Sequence, residues 1–122
     1  MARLPTQRLH DIVFALERIE RRLAAVGVRE GEALDDESLS IVAWSLLTAG
    51  EAIKSLPAEM IARHPDVDWR GLAGLRDRLA HQYFQIDQDM LRNIVRYDLP
   101  PLRAAVGEEL RPQRREADAD PD

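Results

Sequence analysis

The chain contains no cysteine, which excludes disulfide staples and thiolate metal centres. Aromatic residues are scarce: Phe14, Trp44, Trp69, Tyr83, Phe84 and Tyr97 are the whole set in 122 positions. A core built with so few must be mostly Leu, Ile, Val and Ala, which favours helix packed on helix over a sheet sandwich. No apolar run approaches the roughly 20 residues of a bilayer-spanning helix, and no secretory pattern precedes the first amphipathic stretch. The expected location is therefore cytoplasmic. Positive charge is not in excess either, since 17 basic residues face 22 acidic ones for a formal charge of −5. That disfavours a sequence-blind nucleic-acid binder, which carries a broad basic face, but leaves room for a small basic site.

What is present is helical periodicity. Leu9, Ile12, Val13, Leu16, Ile19, Leu23 and Val26 recur at spacings of three and four, which predicts a helix from an N-cap at Thr6 to Gly27. Arg18, Arg21 and Arg22 fall outside that stripe and read as a solvated face. A second helix opens at Asp35 or Asp36 and carries Leu39, Val42, Ala43, Leu46, Ala49, Gly50 and Ile53. Gly50 inside it costs about 1 kcal/mol relative to Ala, so close approach of another helix is expected there. Pro57 suits the first turn of a short third helix, and His64-Pro65 ends it.

A fourth helix is predicted from Trp69 to about Tyr83, with Leu72, Leu75 and Leu79 inward. Asp87 is placed to cap a fifth through Leu91, Ile94, Val95 and Leu99. Pro100-Pro101 must kink or restart that helix, with one or two turns to follow through Leu102 and Val106. The fold class is all-α: an antiparallel bundle of about five helices over residues 1–110. Residues 111–122 form an acidic tail with almost no apolar side chain, expected to be disordered.

The stretch richest in chemistry runs from Gly74 to Phe84. Arg76, four residues, His81, one residue and Tyr83 combine a fixed cation, a titratable imidazole and a phenol. Cleaving RNA through its 2′-hydroxyl needs a base, an acid and a cation for the charge growing on phosphorus. Histidine titrates near neutrality, and arginine can grip two phosphate oxygens. At about 100° per residue, Arg76 and Tyr83 project almost together while His81 lies roughly 140° away. One straight helix cannot aim all three at one phosphate, so either the helix ends near His81 or two copies of the chain share the site. Asp77 stands four residues before His81, where it can orient the imidazole and favour its charged form. The bland alternative is a solvated face of alternating charge at Arg76, Asp77 and Arg78.

Several blocks resemble the HepT family of HEPN proteins, in the same order. They are Gly50-Glu51-Ala52, Leu56-Pro57, His64-Pro65, Trp69-Arg70 and Gly74-Leu75-Arg76, then Arg76 to Tyr83 in the family's R-x(4)-H-x-Y pattern, and finally Ile86-Asp87 and Asp98-Leu99-Pro100. The resemblance covers Thr6 to about Val106. It implies an all-α homodimer with motif helices flanking a cleft, and a toxin endoribonuclease working without a cofactor or metal. Arg76 and His81 would be its catalytic pair, and RNA, with tRNA a candidate, its substrate. It also implies a nucleotidyltransferase antitoxin of MNT type, able to transfer AMP onto Tyr83. Phosphate added there brings charge and bulk to the spot where substrate phosphate must sit. Two positions depart from the family: Asp77 stands where Asn is common, and Trp44 where relatives often carry Arg. Both remove positive character. The competing readings are a non-catalytic module that accepts AMP at Tyr83, and a purely structural dimer.

Among the other residues, His10 is expected on the outer face of the first helix and His64 at a helix end. Trp69 reads as a core anchor, and Glu51 as a carboxylate that either packs against a neighbouring helix in a structural role, the favoured reading, or lines the cleft. Phe84, three residues after His81 and off the Leu72-Leu75-Leu79 stripe, is a candidate partner contact.

Overall fold

A computed structural model describes residues 4–29, 32–75, 77 and 87–112. The architecture is all-helical, with no strand among the described residues.

Helix α1 spans Pro5–Val26 and buries Leu9, Ile12, Ala15, Leu16 and Ile19. It starts earlier than expected. Leu4, not Thr6, is the N-cap, and Pro5 takes the first helical position, where a missing N–H costs nothing. The Leu4 amide is satisfied instead by the Gln7 side chain at 2.9 Å. Gly27 ends α1 at φ +65°, a left-handed backbone that favours glycine.

Helix α2, Asp36–Ile53, is capped by the Asp35 side chain, which accepts from the Ser38 amide. The α1–α2 turn is fastened by Arg22, whose Nε donates to Ser38 Oγ at 2.8 Å and whose guanidinium lies 3.4 Å from Asp35 and Glu37. The end of α1 thus meets the start of α2, and the two run antiparallel. Arg22 is half-buried, unlike exposed Arg18 and Arg21. It is a clasp and not part of a solvated face.

Short helices α3 (Ala58–Ala62) and α4 (Trp69–Ala73) follow. Pro57 is the N-cap of α3, one position before the first turn. The single helix expected from Trp69 to Tyr83 is interrupted: α4 stops at Ala73 with Gly74 as its C-cap, and Leu75 and Asp77 are helical again. The remainder of that stretch, with Leu79, lies outside the described residues, as does the tail from 113 onward. Packing of α4 on α2 is close enough that a Cβ on Gly50 would come within 2.7 Å of the Leu72 carbonyl oxygen. Gly50 is therefore where two backbones meet.

The last stretch is one rod in three registers: α5 (Gln88–Asn93), a π-helical segment (Ile94–Asp98) and α6 (Leu99–Glu109). Asp87 caps α5 by accepting from the Met90 amide. The prolines neither break the rod nor leave only a turn or two after them. Pro100 and Pro101 have no N–H to give and their rings press on the preceding turn. Widening that turn to π geometry, with the Leu99 amide reaching back to the Ile94 carbonyl, relieves the clash. Eleven residues of α6 follow and bury Leu99, Leu102, Ala105, Val106 and Glu109. The core gathers Ile12, Leu16, Leu46, Leu75, Leu91 and Leu102, each almost fully buried. Each contributes about 1.5–3 kcal/mol of transfer free energy.

Candidate functional site

The motif segment is launched from a firmly held support. The Asp68 side chain accepts from the Gly71 amide at 3.0 Å and opens α4. Trp69 is buried as expected, and its indole Nε1 donates to the His64 carbonyl at 2.9 Å. Leu72 and Leu75 are buried against the core. Arg76, the first residue of the motif, comes directly after Leu75 in the sequence. Asp77 is exposed at the surface, where it can meet a ligand or orient a neighbour. Arg76, His81 and Tyr83 lie outside the described residues, and so does Phe84. The structure thus locates one member of the expected set and the root of the segment that carries the others.

Next to α4, the outer face of α2 presents Trp44 and Glu51, seven residues apart and therefore on one side of the helix. Trp44 is 61% exposed, a large apolar surface to leave in water. Glu51 is exposed too, which corrects the expectation of a buried carboxylate. Its position on the helix points away from the Val42-Leu46-Ala49-Ile53 stripe, so burial was never available to it. His10 is exposed on α1 as expected.

A polar cluster with no counterpart among the sequence expectations sits beside the start of α4. Glu109 on α6 is 2% exposed and receives two bonds from Arg63, at 3.0 and 2.6 Å. His64 Nε2 lies 2.5 Å from the same carboxylate, and its ring meets the Trp69 ring edge-on. Burial works to raise the Glu109 carboxyl, but the bonds from Arg63 and His64 outweigh it and hold it below the ordinary carboxylate range. His64 is therefore more than a helix end: it helps tie the α3–α4 link to α6. A signal for this was available. Leu102, Ala105, Val106 and Glu109 share one helical stripe, and a carboxylate on an inward stripe demands a cation. Among the described residues, no three His, Cys, Asp or Glu side chains are grouped to hold a metal ion. No helix described is long and apolar enough to cross a membrane.

Residues 12–108 match the family described as ribonuclease HepT-like, a span that runs from within α1 into α6 and includes the whole motif. The chain belongs to that family. The "Probable ribonuclease HepT" of Thermococcus cleftensis is 34% identical over 103 residues, covering 84% of this chain and 93% of that one. A protein of Caldanaerobacter subterraneus named as a candidate RNase is 30% identical over 107 residues, covering 87% and 90%. Another so named, from Methanocaldococcus jannaschii, is 41% identical over 66 residues, where the chain spans about half of its length. No solved structure matches. As a member of the HepT-like family the chain is an enzyme of the ribonuclease class, carried on an all-helical scaffold.

Proposed function

We propose that this HepT-like protein is a metal-independent endoribonuclease, the toxin of a HEPN/MNT toxin–antitoxin pair. The observation that carries this reading is the family match across residues 12–108, within which Arg76, His81 and Tyr83 stand at the family's motif spacing. Arg76 and His81 are the catalytic pair. Arg76 holds the phosphate and stabilises the charge that develops on it, and His81 moves a proton at the 2′-hydroxyl or at the leaving 5′-oxygen. Attack by the 2′-oxygen forms a new bond to phosphorus and breaks the bond to the 5′-oxygen. The products are a 2′,3′-cyclic phosphate and a 5′-hydroxyl. Asp77 orients the His81 imidazole, and its exposure at the start of the motif is compatible with that role.

Two copies of the chain flank the cleft. Exposed Trp44, on the outer face of α2, supplies apolar area for such an interface. A nucleotidyltransferase antitoxin silences the enzyme by placing AMP on Tyr83.

The test is cleavage of a bulk tRNA pool by purified protein in excess EDTA, with wild type beside His81→Ala. Cleavage by wild type alone, with cyclic-phosphate ends, is expected. Absence of cleavage by a folded protein unmodified at Tyr83, across a range of RNAs, sinks the nuclease reading. It would then favour the second reading, an interaction module that binds the nucleotidyltransferase and accepts AMP. Trp44 and Asp77 favour that second reading, because one stands where relatives often carry a cation and the other adds a carboxylate beside Arg76.

A further inference from the structure

Between the C-terminal end of α1, the link after it and the first turns of α5 lies an open cavity of about 540 Å³. Its floor is apolar: Leu34 is buried, and Leu23, Val28 and Val95 are half-buried. Its mouth carries Arg29, Arg92 and Arg96 against the two carboxylates Glu32 and Asp89. In a chain of net charge −5, three arginines among the described residues round one concave site are a local gathering of cations. The Arg92 guanidinium bonds Asp89, and the Arg96 guanidinium lies 5.0 Å from the centre of the exposed Tyr97 ring. The two walls are fixed to each other, because the Leu34 amide donates to Gln88 Oε1 at 3.0 Å. One wall, from Asn93 to Arg96, runs into the π-helical segment, a geometry frequent at functional sites.

We propose that this cavity binds a nucleotide unit, with the base on the Leu23-Val28-Leu34-Val95 floor and the phosphate on Arg29 and Arg96. The inference rests on the ribonuclease reading, for which it supplies an RNA subsite apart from the R-x(4)-H-x-Y motif. The volume lies within the range of about 300–1,000 Å³ usual for small-molecule sites. A bare phosphate would leave the apolar floor wet and set its negative charge against Glu32 and Asp89. A nucleotide covers the floor with a flat π-face and brings ribose hydroxyls or a base amino group, which carboxylates and the Asn93 amide can bond. Asp89 stands six positions after Tyr83, and six residues reach at most about 22 Å, so one RNA strand can engage motif and cavity together.

The experiment is methyl NMR of the full chain. The probes are the four ribonucleoside 5′-monophosphates, inorganic phosphate, and a 2′-O-methyl RNA oligonucleotide that cannot be cut through its 2′-oxygen. Nucleotide or oligonucleotide is expected to shift the Leu23, Val28, Leu34 and Val95 methyls. Arg29→Ala and Arg96→Ala should each weaken that response at least five-fold, and Val95→Trp, which fills the floor, should abolish it. Methyl spectra elsewhere in the core report that each variant is folded. A response to mononucleotides alone identifies a free nucleotide as the ligand, and a response to the oligonucleotide alone identifies an RNA strand; both uphold the site. No response to either, an equal response to inorganic phosphate, or a response that survives Val95→Trp overturns it. Cleavage of ordinary RNA with a silent cavity sinks the subsite and leaves the nuclease standing. A bound oligonucleotide without any cleavage does the reverse.

Discussion

Gly50 is the residue on which the placement of the motif turns. A methyl there would stand 2.7 Å from the Leu72 carbonyl oxygen, a backbone atom that cannot swing aside. Gly50→Ala gains about 1 kcal/mol of helix propensity yet is expected to destabilise by about 1–3 kcal/mol in urea unfolding, because α4 must move away. The same displacement should lower RNA cleavage, since Arg76 lies only three positions after the last residue of α4. Asp77 offers a subtler test. If it favours the charged imidazole of His81, Asp77→Asn moves the histidine limb of the pH–rate profile to lower pH; an unmoved limb would deny it that role.

Glu109 makes the third residue-scale prediction. Its carboxyl is held below the ordinary value of 4.5 in the folded protein. A carboxyl lowered on folding contributes stability that is present above its unfolded value and lost as pH falls through its folded value. Glu109→Gln should therefore cost about 2 kcal/mol near pH 7, towards the low side for a buried pair because Arg63 keeps some contact with water. The gap between variant and wild type should close as pH falls from about 4.5 downward. Denaturation across that pH window checks both magnitude and sign.

At the scale of elements, short helices owe their existence to caps and neighbours. Helix α5 has six residues, too few to persist alone, and its Asp87 cap bonds the Met90 amide at 3.1 Å. Asp87→Ala should cost about 1 kcal/mol and speed amide exchange at Met90 and Leu91, which backbone NMR would register. The rod through α5 and α6 shows a different economy. Two consecutive prolines are tolerated because the π-helical turn before them takes up the extra width, so α6 continues to Glu109 and delivers that carboxylate to Arg63 and His64. The same turn runs along the wall of the arginine-rimmed cavity.

At the scale of the whole molecule, charge is unevenly spent. An acidic chain acting on an acidic polymer needs its cations gathered in few places, and Arg29, Arg92 and Arg96 form one such place. Cleavage by this HepT-like protein should weaken steeply as salt rises from about 50 to 200 mM, as expected when phosphates are neutralised by arginine. Insensitivity of KM to salt would mean that RNA is held by contacts other than these. Sedimentation at micromolar concentration tests the dimer: wild type should sediment as two chains, and Trp44→Glu should shift it towards one.

Much of this was legible in the linear order of residues. The apolar stripe of α1 as far as Leu23, that of α2, the acidic start of α2, the cap at Asp87, the stop at Gly27, the close approach at Gly50 and the anchoring of Trp69 were readable in order along the chain and hold in the fold. Val26, expected on the α1 stripe, is exposed at the last position of that helix. The family, too, was readable from blocks of sequence. Other features required tertiary structure because their partners are distant along the chain. Arg63 and His64 meet Glu109 across more than 40 positions, and the cavity draws its walls from α1 and α5. Burial of Glu51 does not hold because it lies on the face of α2 opposite the Val42-Leu46-Ala49-Ile53 stripe. The start of α1 at Pro5 was missed because the reading sought a hydroxyl cap where a proline and a glutamine did the work. Periodicity and capping are contests between neighbours, settled within a few residues, so the sequence by itself determined the helices. Which charges meet, and where water is left room to enter, depends on distances that only the packed chain decides.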